Sequence, residues 1–228
     1  MIRMTGISAS YHQQPPNEAT RVVASTFGIL VGLAGMEHGF FELLQGNVTP
    51  SDLMIHAIGP SQQFWEHGTE TALTIIPNFF ITGILAILLG LIVTVWASIF
   101  INRKYGAGIL MVFSILLWLS GGGFAPIFMS IFASVAATGI NKPLNWRQTH
   151  LPGFIRGALA KAWRWSIILF VVVFLAGVEI AIFGYPLLWF FDAEVTFSVQ
   201  NVAAIIMIIF LPFSIITALA NDVEQRKT

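Results

Sequence analysis

The tripeptide Glu-His-Gly occurs twice in this sequence, and a further glutamate follows each copy. The two copies and their glutamates are Glu37-His38-Gly39 with Glu42 and Glu66-His67-Gly68 with Glu70. A histidine and a glutamate three or four residues apart share one face of a helix and can present two ligands to one cation. The metal motifs HExxH and ExxH are absent, so chance, a shared cation or proton site, and a hydrolytic metal centre all remain open. His38, Glu42 and His67 are the candidate ligands for a possible divalent cation.

The composition around these residues is that of a membrane protein. Of the 228 residues, 56% are hydrophobic and 10% are charged, whereas soluble domains carry about a quarter charged residues. The chain has no cysteine, which excludes disulfides, thiolate metal ligands and iron–sulfur clusters. The formal net charge is zero, which provides no basic surface for nucleic acid. Phosphate-binding loops and nucleophile elbows are also absent, so we find no signature of a known enzyme class.

Long apolar runs predict an all-α helical bundle with six membrane segments. Four runs are long enough to form helices of about 30 Å or more, and they span residues 22–45, 77–101, 166–191 and 199–220. The run 105–140 is too long for one span and is interrupted by the sequence SGGGFAP at 120–126, a strong helix breaker. We therefore expect a short helical hairpin there, which either crosses the membrane twice or re-enters from one side.

The basic residues predict the orientation of the bundle. Lysine and arginine in short loops remain on the cytoplasmic side, and all eleven fall on one side if the run 105–140 goes out and returns. The sequence thus predicts an integral protein of a prokaryotic-type plasma membrane with both termini cytoplasmic. It divides into a cytoplasmic tail (1–21), one transmembrane domain (22–220) and a second cytoplasmic tail (221–228).

Two connections are long enough to have structure of their own. In the outer cap, 46–76, Thr49 is a good helix N-cap and Gly59-Pro60 would end that helix. A second cap helix from about residue 61 would then present Glu66 and Glu70 on one face. The cytoplasmic loop 141–165 combines five basic residues with three tryptophans, which predicts contact with anionic lipid headgroups.

Several acidic residues fall within or near the predicted spans. A charge at the centre of a membrane helix costs at least about 2.5–3.5 kcal/mol, so each needs a partner, a cavity or a function. Glu179 lies about 20 Å along its predicted span and is the deepest; Glu37 and His38 lie about 25 Å along the first span. The acids assigned to the outer half are Glu37, Glu42, Asp52, Glu66, Glu70, Glu179, Asp192 and Glu194. An acidic cleft of this kind would concentrate cations.

A line of glycines follows one face of the first predicted helix. At 100° per residue, Gly28, Gly32, Gly35, Gly39 and Gly46 fall close to a single line. Small residues allow another helix to approach closely, so this stripe is expected to be a helix contact.

Three functions are compatible with these features. The leading hypothesis is a protein that binds or passes a cation, proton or small cationic solute in the outer half of the bundle. Its cleft would contain Glu179, Glu37, His38 and Glu42, with a lid formed by Glu66, His67 and Glu70. One alternative is a structural or accessory subunit whose glycine stripe packs against a larger membrane complex or a second copy. The other is a membrane-embedded metal-dependent enzyme that acts on a lipid-like substrate.

Overall fold

The fold is a helical bundle with a small two-stranded cap at one end, in a computed structural model that describes residues 16–144 and 152–226. In chain order, the elements are α1 (Glu18–Gln45), β1 (Met54–His56), β2 (Thr71–Leu73), α2 (Phe79–Val95), α3 (Gly106–Leu119), α4 (Phe124–Gly139), α5 (Gly153–Phe183) and α6 (Ala193–Gln225). A π-helical turn, Trp96–Phe100, continues α2, and a 3₁₀ turn, Leu187–Trp189, precedes α6. The predicted features at residues 1–15, 145–151 and 227–228 lie outside the described residues.

Four of these helices are long and apolar enough to cross a membrane: α1, α2 with its π-helical turn, α5 and α6. The other two, α3 and α4, are shorter apolar helices. Many large apolar side chains are exposed on the helices, such as Leu88, Val112, Val172 and Ile205. Apolar surface of this extent is unusual for a soluble protein. The prediction of an integral membrane protein built from helices is therefore confirmed.

The central helix of the bundle is α1, which packs against α2, α3, α4 and α6. The stripe glycines of α1 face α2 and α3. A Cβ on Gly39 would lie 2.7 Å from the carbonyl oxygen of Gly83, and one on Gly32 would overlap Gly90 and Thr94. The predicted close helix contact is therefore present, but the partner is α2 of the same chain. Because α2 and α3 cover the stripe, it does not offer a surface to another subunit.

The last glycine of the predicted stripe has a different role. Gly46 has no neighbour within 4 Å of its Cβ position and ends α1 with a positive φ of 82°. It therefore terminates the helix and makes no helix contact.

The run 105–140 forms the predicted helical hairpin. Its first end lies beside residue 141, where the Asn141 side chain donates to the Asn102 carbonyl at 2.8 Å. Its turn lies at the other end of the bundle, where the Gly121 amide donates to the Leu73 carbonyl of β2 at 3.0 Å. The hairpin therefore extends from one end of the bundle to the other and returns.

The two ends of the bundle differ in charge. At one end, the side chain of Asp222 accepts hydrogen bonds from the amides of Ala19 and Thr20 at 2.9 Å, and Arg226 donates to Asn17 at 2.7 Å. We call this the basic end, because the described lysines and arginines lie there: Arg21, Arg103, Lys104, Lys142, Arg156, Lys161, Arg164 and Arg226. The other end, which we call the cap end, carries the eight acids predicted for the outer half. This grouping of charge agrees with the sequence pattern.

The predicted helices of the cap are wrong. Residues 46–78 contain β1 and β2, which pair antiparallel with Ile55 opposite Ala72. Ile55, Ala57 and Ala72 are buried while their neighbours His56 and Thr71 are exposed, a period of two that favours strands. The spacing of Glu66 and Glu70 suits a helix, but these residues lie in the connection between the strands.

The boundaries of α5 also differ from the prediction. The helix ends at Phe183 because Gly184 takes a left-handed conformation with φ 70° and a proline follows at 186. The helix begins at Gly153, so residues 153–165 of the segment predicted as a cytoplasmic loop are helical. Within it, Arg156 is buried and pairs with Glu224. In the same way, α1 and α6 extend into segments predicted as tails.

Candidate cation site

The last three turns of α1 bring three ionisable residues to the cap end: Glu37, His38 and Glu42. His38 is 2% exposed and Glu42 is fully buried, whereas Glu37 is partly exposed. His38 and Glu42 are buried because their side of α1 continues the glycine face that packs against α2 and α3. Two of the most strongly buried polar side chains in the described chain therefore lie one turn apart.

A residue of the cap completes this group. Glu70 lies immediately before β2, and its Oε2 is 2.5 Å from Nε2 of His38. Glu37, His38 and Glu70 each offer one ligand atom, and these three atoms lie within 4.8 Å of one another. The structure therefore brings together Glu37 and His38, which the sequence placed in the cleft, with Glu70, which it placed in the lid.

The strand pairing of the cap fixes the position of Glu70. The amide of Ala57 donates to the Glu70 carbonyl at 2.8 Å, which continues the β1–β2 ladder by one residue. Burial raises the pKa of the Glu70 carboxyl, but the nearby His38 ring and the hydrogen bond from it lower the pKa more strongly, and the net pKa is lowered. Glu70 is therefore an anion at neutral pH that faces the His38 ring.

The turn between α3 and α4 covers the buried part of the site. A Cβ on Gly121 would overlap the carboxylate of Glu42, and one on Gly123 would lie 2.5 Å from Cε1 and Nε2 of His38. Both glycines also have positive φ, 94° and 82°. The sequence predicts the glycines at 121–123 only as a helix breaker, whereas in the structure Gly121 and Gly123 make space for Glu42 and His38.

Three buried atoms of this site have no hydrogen-bond partner among the described residues: Nδ1 of His38 and both carboxylate oxygens of Glu42. The hydroxyl of Thr82 lies beside Glu42, but it donates its proton to the Ser120 carbonyl at 2.7 Å. An isolated buried carboxylate is costly by several kcal/mol. Glu42 therefore requires a proton or a cation as its partner.

The second Glu-His pair forms a separate cluster. Nε2 of His67 lies 3.5 Å from carboxylate oxygens of both Glu66 and Glu194, and its ring stacks on Phe197 with centroids 4.5 Å apart. This cluster joins the cap to the start of α6, and both of its acids are exposed. The predicted lid is thus divided, because Glu70 belongs to the His38 site while Glu66 and His67 do not. Glu194, which completes the second cluster, was not among the predicted ligands.

Glu179 lies outside both clusters. Its side chain is exposed, on the same face of α5 as Val172 and Leu175. It lies four residues before the end of α5, at the level of the cap, where Trp65 donates to the Ala181 carbonyl at 3.1 Å. The predicted span ended eight residues too late, which made Glu179 look deeply immersed. Glu179 is therefore not part of the group formed by Glu37, His38 and Glu70.

Comparison of the chain with models of protein families, with curated proteins and with solved structures finds no match. The function of the site must therefore be inferred from its own geometry and charge.

Proposed function

We propose that this chain is a multi-pass membrane protein that binds a divalent cation at the cap end, through His38 and the carboxylates around it. The observation that carries this proposal is the convergence of ligand atoms from Glu37, His38 and Glu70 within 4.8 Å. These residues come from two different elements, so the group does not arise from helical spacing alone. A buried imidazole beside carboxylates suits zinc, manganese, iron or cobalt.

The charge distribution supports uptake of a cation from this end. Eight acids lie at the cap end, and within residues 16–144 and 152–226 no lysine or arginine lies there. A surface lined by one sign of charge raises the local concentration of counter-ions. In our proposal, the cap faces the outside of the membrane, the α3–α4 hairpin crosses it twice, and both termini are cytoplasmic.

Metal binding to the full chain in lipid nanodiscs tests the proposal. We expect Co²⁺ or Zn²⁺ to bind to the wild-type protein in isothermal titration calorimetry and the His38→Gln variant to bind at least 100-fold more weakly. His56→Gln is the matched control, because His56 is exposed at the same end but belongs to neither cluster. A companion His67→Gln variant separates any binding by the second cluster. Equal affinity in the wild type and His38→Gln would refute the proposal.

The same proteins show whether the bound ion is also passed across the membrane. In proteoliposomes that contain a metal-sensitive dye, a transporter would load the dye in the wild type and in His56→Gln but not in His38→Gln. Binding without entry of the ion would restrict the function to binding.

A further inference from the structure

The two ring nitrogens of His38 have different environments. Nε2 lies 2.5 Å from the Glu70 carboxylate, so the ring N–H donates a short, charge-assisted hydrogen bond to that carboxylate. A neutral imidazole with its proton on Nε2 has a free lone pair on Nδ1. Nδ1 is buried and has no hydrogen-bond partner among the described residues. When the ring is neutral, Nδ1 is therefore the ring nitrogen that is free to bind a metal ion, and binding displaces any proton that Nδ1 carries.

A second unpartnered group lies one helical turn further along α1. Glu42 follows His38 by four residues, which places both on one face. Glu42 is fully buried, and neither of its oxygens has a hydrogen-bond partner in the described part of the chain. A lone pair and a carboxylate, both without a partner, are what a metal ion requires from its ligands.

The α3–α4 turn lies against the Glu42 carboxylate and against the Nε2–Cε1 edge of the His38 ring. A side chain at position 121 would collide with Glu42, and one at position 123 would collide with the ring of His38, so both positions are glycine. The hydroxyl of Thr82, also beside Glu42, is occupied by the Ser120 carbonyl. The α3–α4 turn therefore packs against the Glu42 carboxylate without donating a hydrogen bond to it.

We infer that the ion binds on the Nδ1 side of His38, with Nδ1 and the Glu42 carboxylate as protein ligands, while Glu70 positions the ring. This inference rests on the proposed function and deepens it, because it assigns the ion's place within the site. In many metal sites, the ligating histidine donates its other N–H to a carboxylate, which fixes the tautomer and the orientation of the ring. Glu70 stands in this relation to His38. The ion is a divalent transition metal that accepts both imidazole and carboxylate ligands.

The partly exposed acids then have a different task. Unlike the fully buried Glu42, Glu37 and Glu70 are partly exposed, and 25% of the Glu70 side chain is accessible. They attract an arriving ion but do not hold it in its final position. From the surface inward, the site thus consists of the partly exposed carboxylates of Glu37 and Glu70, the imidazole of His38 and the buried carboxylate of Glu42.

Three carboxylate variants distinguish the two sides of the ring. In Co²⁺ titrations of the full chain in nanodiscs, we expect Glu42→Gln to weaken binding at least 100-fold. Glu70→Gln should weaken it about 10- to 100-fold, the effect typical of a group that orients a ligand. Glu37→Gln should weaken it less than either. Asp52→Asn is the matched control, because Asp52 is an exposed acid of the same cap outside both clusters, and it should bind like the wild type.

Two further measurements show that the effect of Glu42→Gln is not a folding defect. Without metal, this variant should unfold at the same temperature as the wild type or a higher one, because glutamine occupies the same space without the cost of burying a charge or of protonating the carboxyl group. Glu42→Asp should recover part of the affinity, since it restores the charge. A Glu42→Gln variant that is less stable without metal, together with no recovery in Glu42→Asp, would overturn the assignment.

The result that overturns this inference differs from the one that refutes the proposed function. If Glu37→Gln and Glu70→Gln abolish binding while Glu42→Gln binds like the wild type, the ion lies on the Nε2 side. The inference then fails and the proposed function stands. If His38→Gln also binds like the wild type, both fail.

Discussion

At the scale of single residues, Glu70 connects the cap to the bundle, because it lies in the cap and its carboxylate contacts His38 directly. The side chain of Glu70 accepts a hydrogen bond from the His38 ring. Its backbone carbonyl accepts one from the Ala57 amide, which extends the β1–β2 ladder. The ionisation of one carboxyl group therefore affects both the site and the seating of the cap.

The stability of the cap should depend on pH through Glu70. Because the pKa of Glu70 is lowered in the folded chain, its carboxylate stabilises the cap above the unfolded pKa. That contribution is lost as the pH falls through the lower folded value. We expect hydrogen exchange at the Ala57 amide, which is bonded to Glu70, to accelerate as the pH falls below about 4, near the ordinary value for glutamate, after correction for intrinsic exchange. Glu70→Gln should remove this extra dependence, and Asp52→Asn should retain it. An identical pH profile in Glu70→Gln and the wild type would show that Glu70 does not hold the cap.

Only part of the site can be predicted from the sequence, and the reasons are physical. His38 and Glu42 could be predicted as a pair because helical spacing places them on one face. Their contact with Glu70 depends on the register of two three-residue strands, which are too short to give a clear periodic signal. The predicted depth of Glu179 in the membrane is wrong, because the apolar residues after Phe183 make the predicted span continue past the end of α5.

At the scale of the elements, the α1–α2 contact positions the site. Both helices carry glycines where they meet, so that their backbones lie close together. This contact brings His38 and Glu42 beneath the α3–α4 turn. The glycine spacing predicted a close helix neighbour, but a stripe of small residues does not specify whether that neighbour belongs to the same chain.

Adding one methyl group to this contact should destabilise the bundle. A Cβ on Gly32 would overlap the Gly90 backbone and Thr94, so Gly32→Ala should lower the free energy of unfolding by about 1–3 kcal/mol, as overpacking does. Gly108→Ala is the matched control, since nothing lies within 4 Å of its Cβ position. Its effect should be neutral or stabilising by about 0.5–1 kcal/mol, because alanine is the better helix former. Unfolding of the purified protein in detergent measures both. Equal stability of the two variants would contradict the described α1–α2 contact.

At the scale of the whole molecule, the opposite charge of the two ends is the main feature. The long apolar helices and the grouping of basic residues could be predicted from the sequence, because both are local properties of composition. The convergence of the acids could not be predicted from the sequence, because it depends on how the cap folds over the helix ends.

Labelling of introduced cysteines tests the orientation that we propose. The chain has no natural cysteine, so each introduced one is unique. With a membrane-impermeant maleimide on intact cells, we expect Asp52→Cys to be labelled and Lys104→Cys and Lys161→Cys to be labelled only after permeabilisation. All three positions are exposed, so accessibility within the protein does not limit the reaction. Labelling of Asp52→Cys and Lys104→Cys from the same side would contradict the proposed orientation.

The central claim is that His38 holds a metal ion together with carboxylates, and X-ray absorption at the zinc K-edge tests it most directly. For the Zn²⁺-loaded protein with the His67→Gln substitution, we expect imidazole scattering and nitrogen or oxygen neighbours at about 2.0–2.2 Å. Adding His38→Gln should remove the imidazole signal and most of the bound zinc. A zinc spectrum without imidazole, or one that His38→Gln leaves unchanged, would contradict the claim.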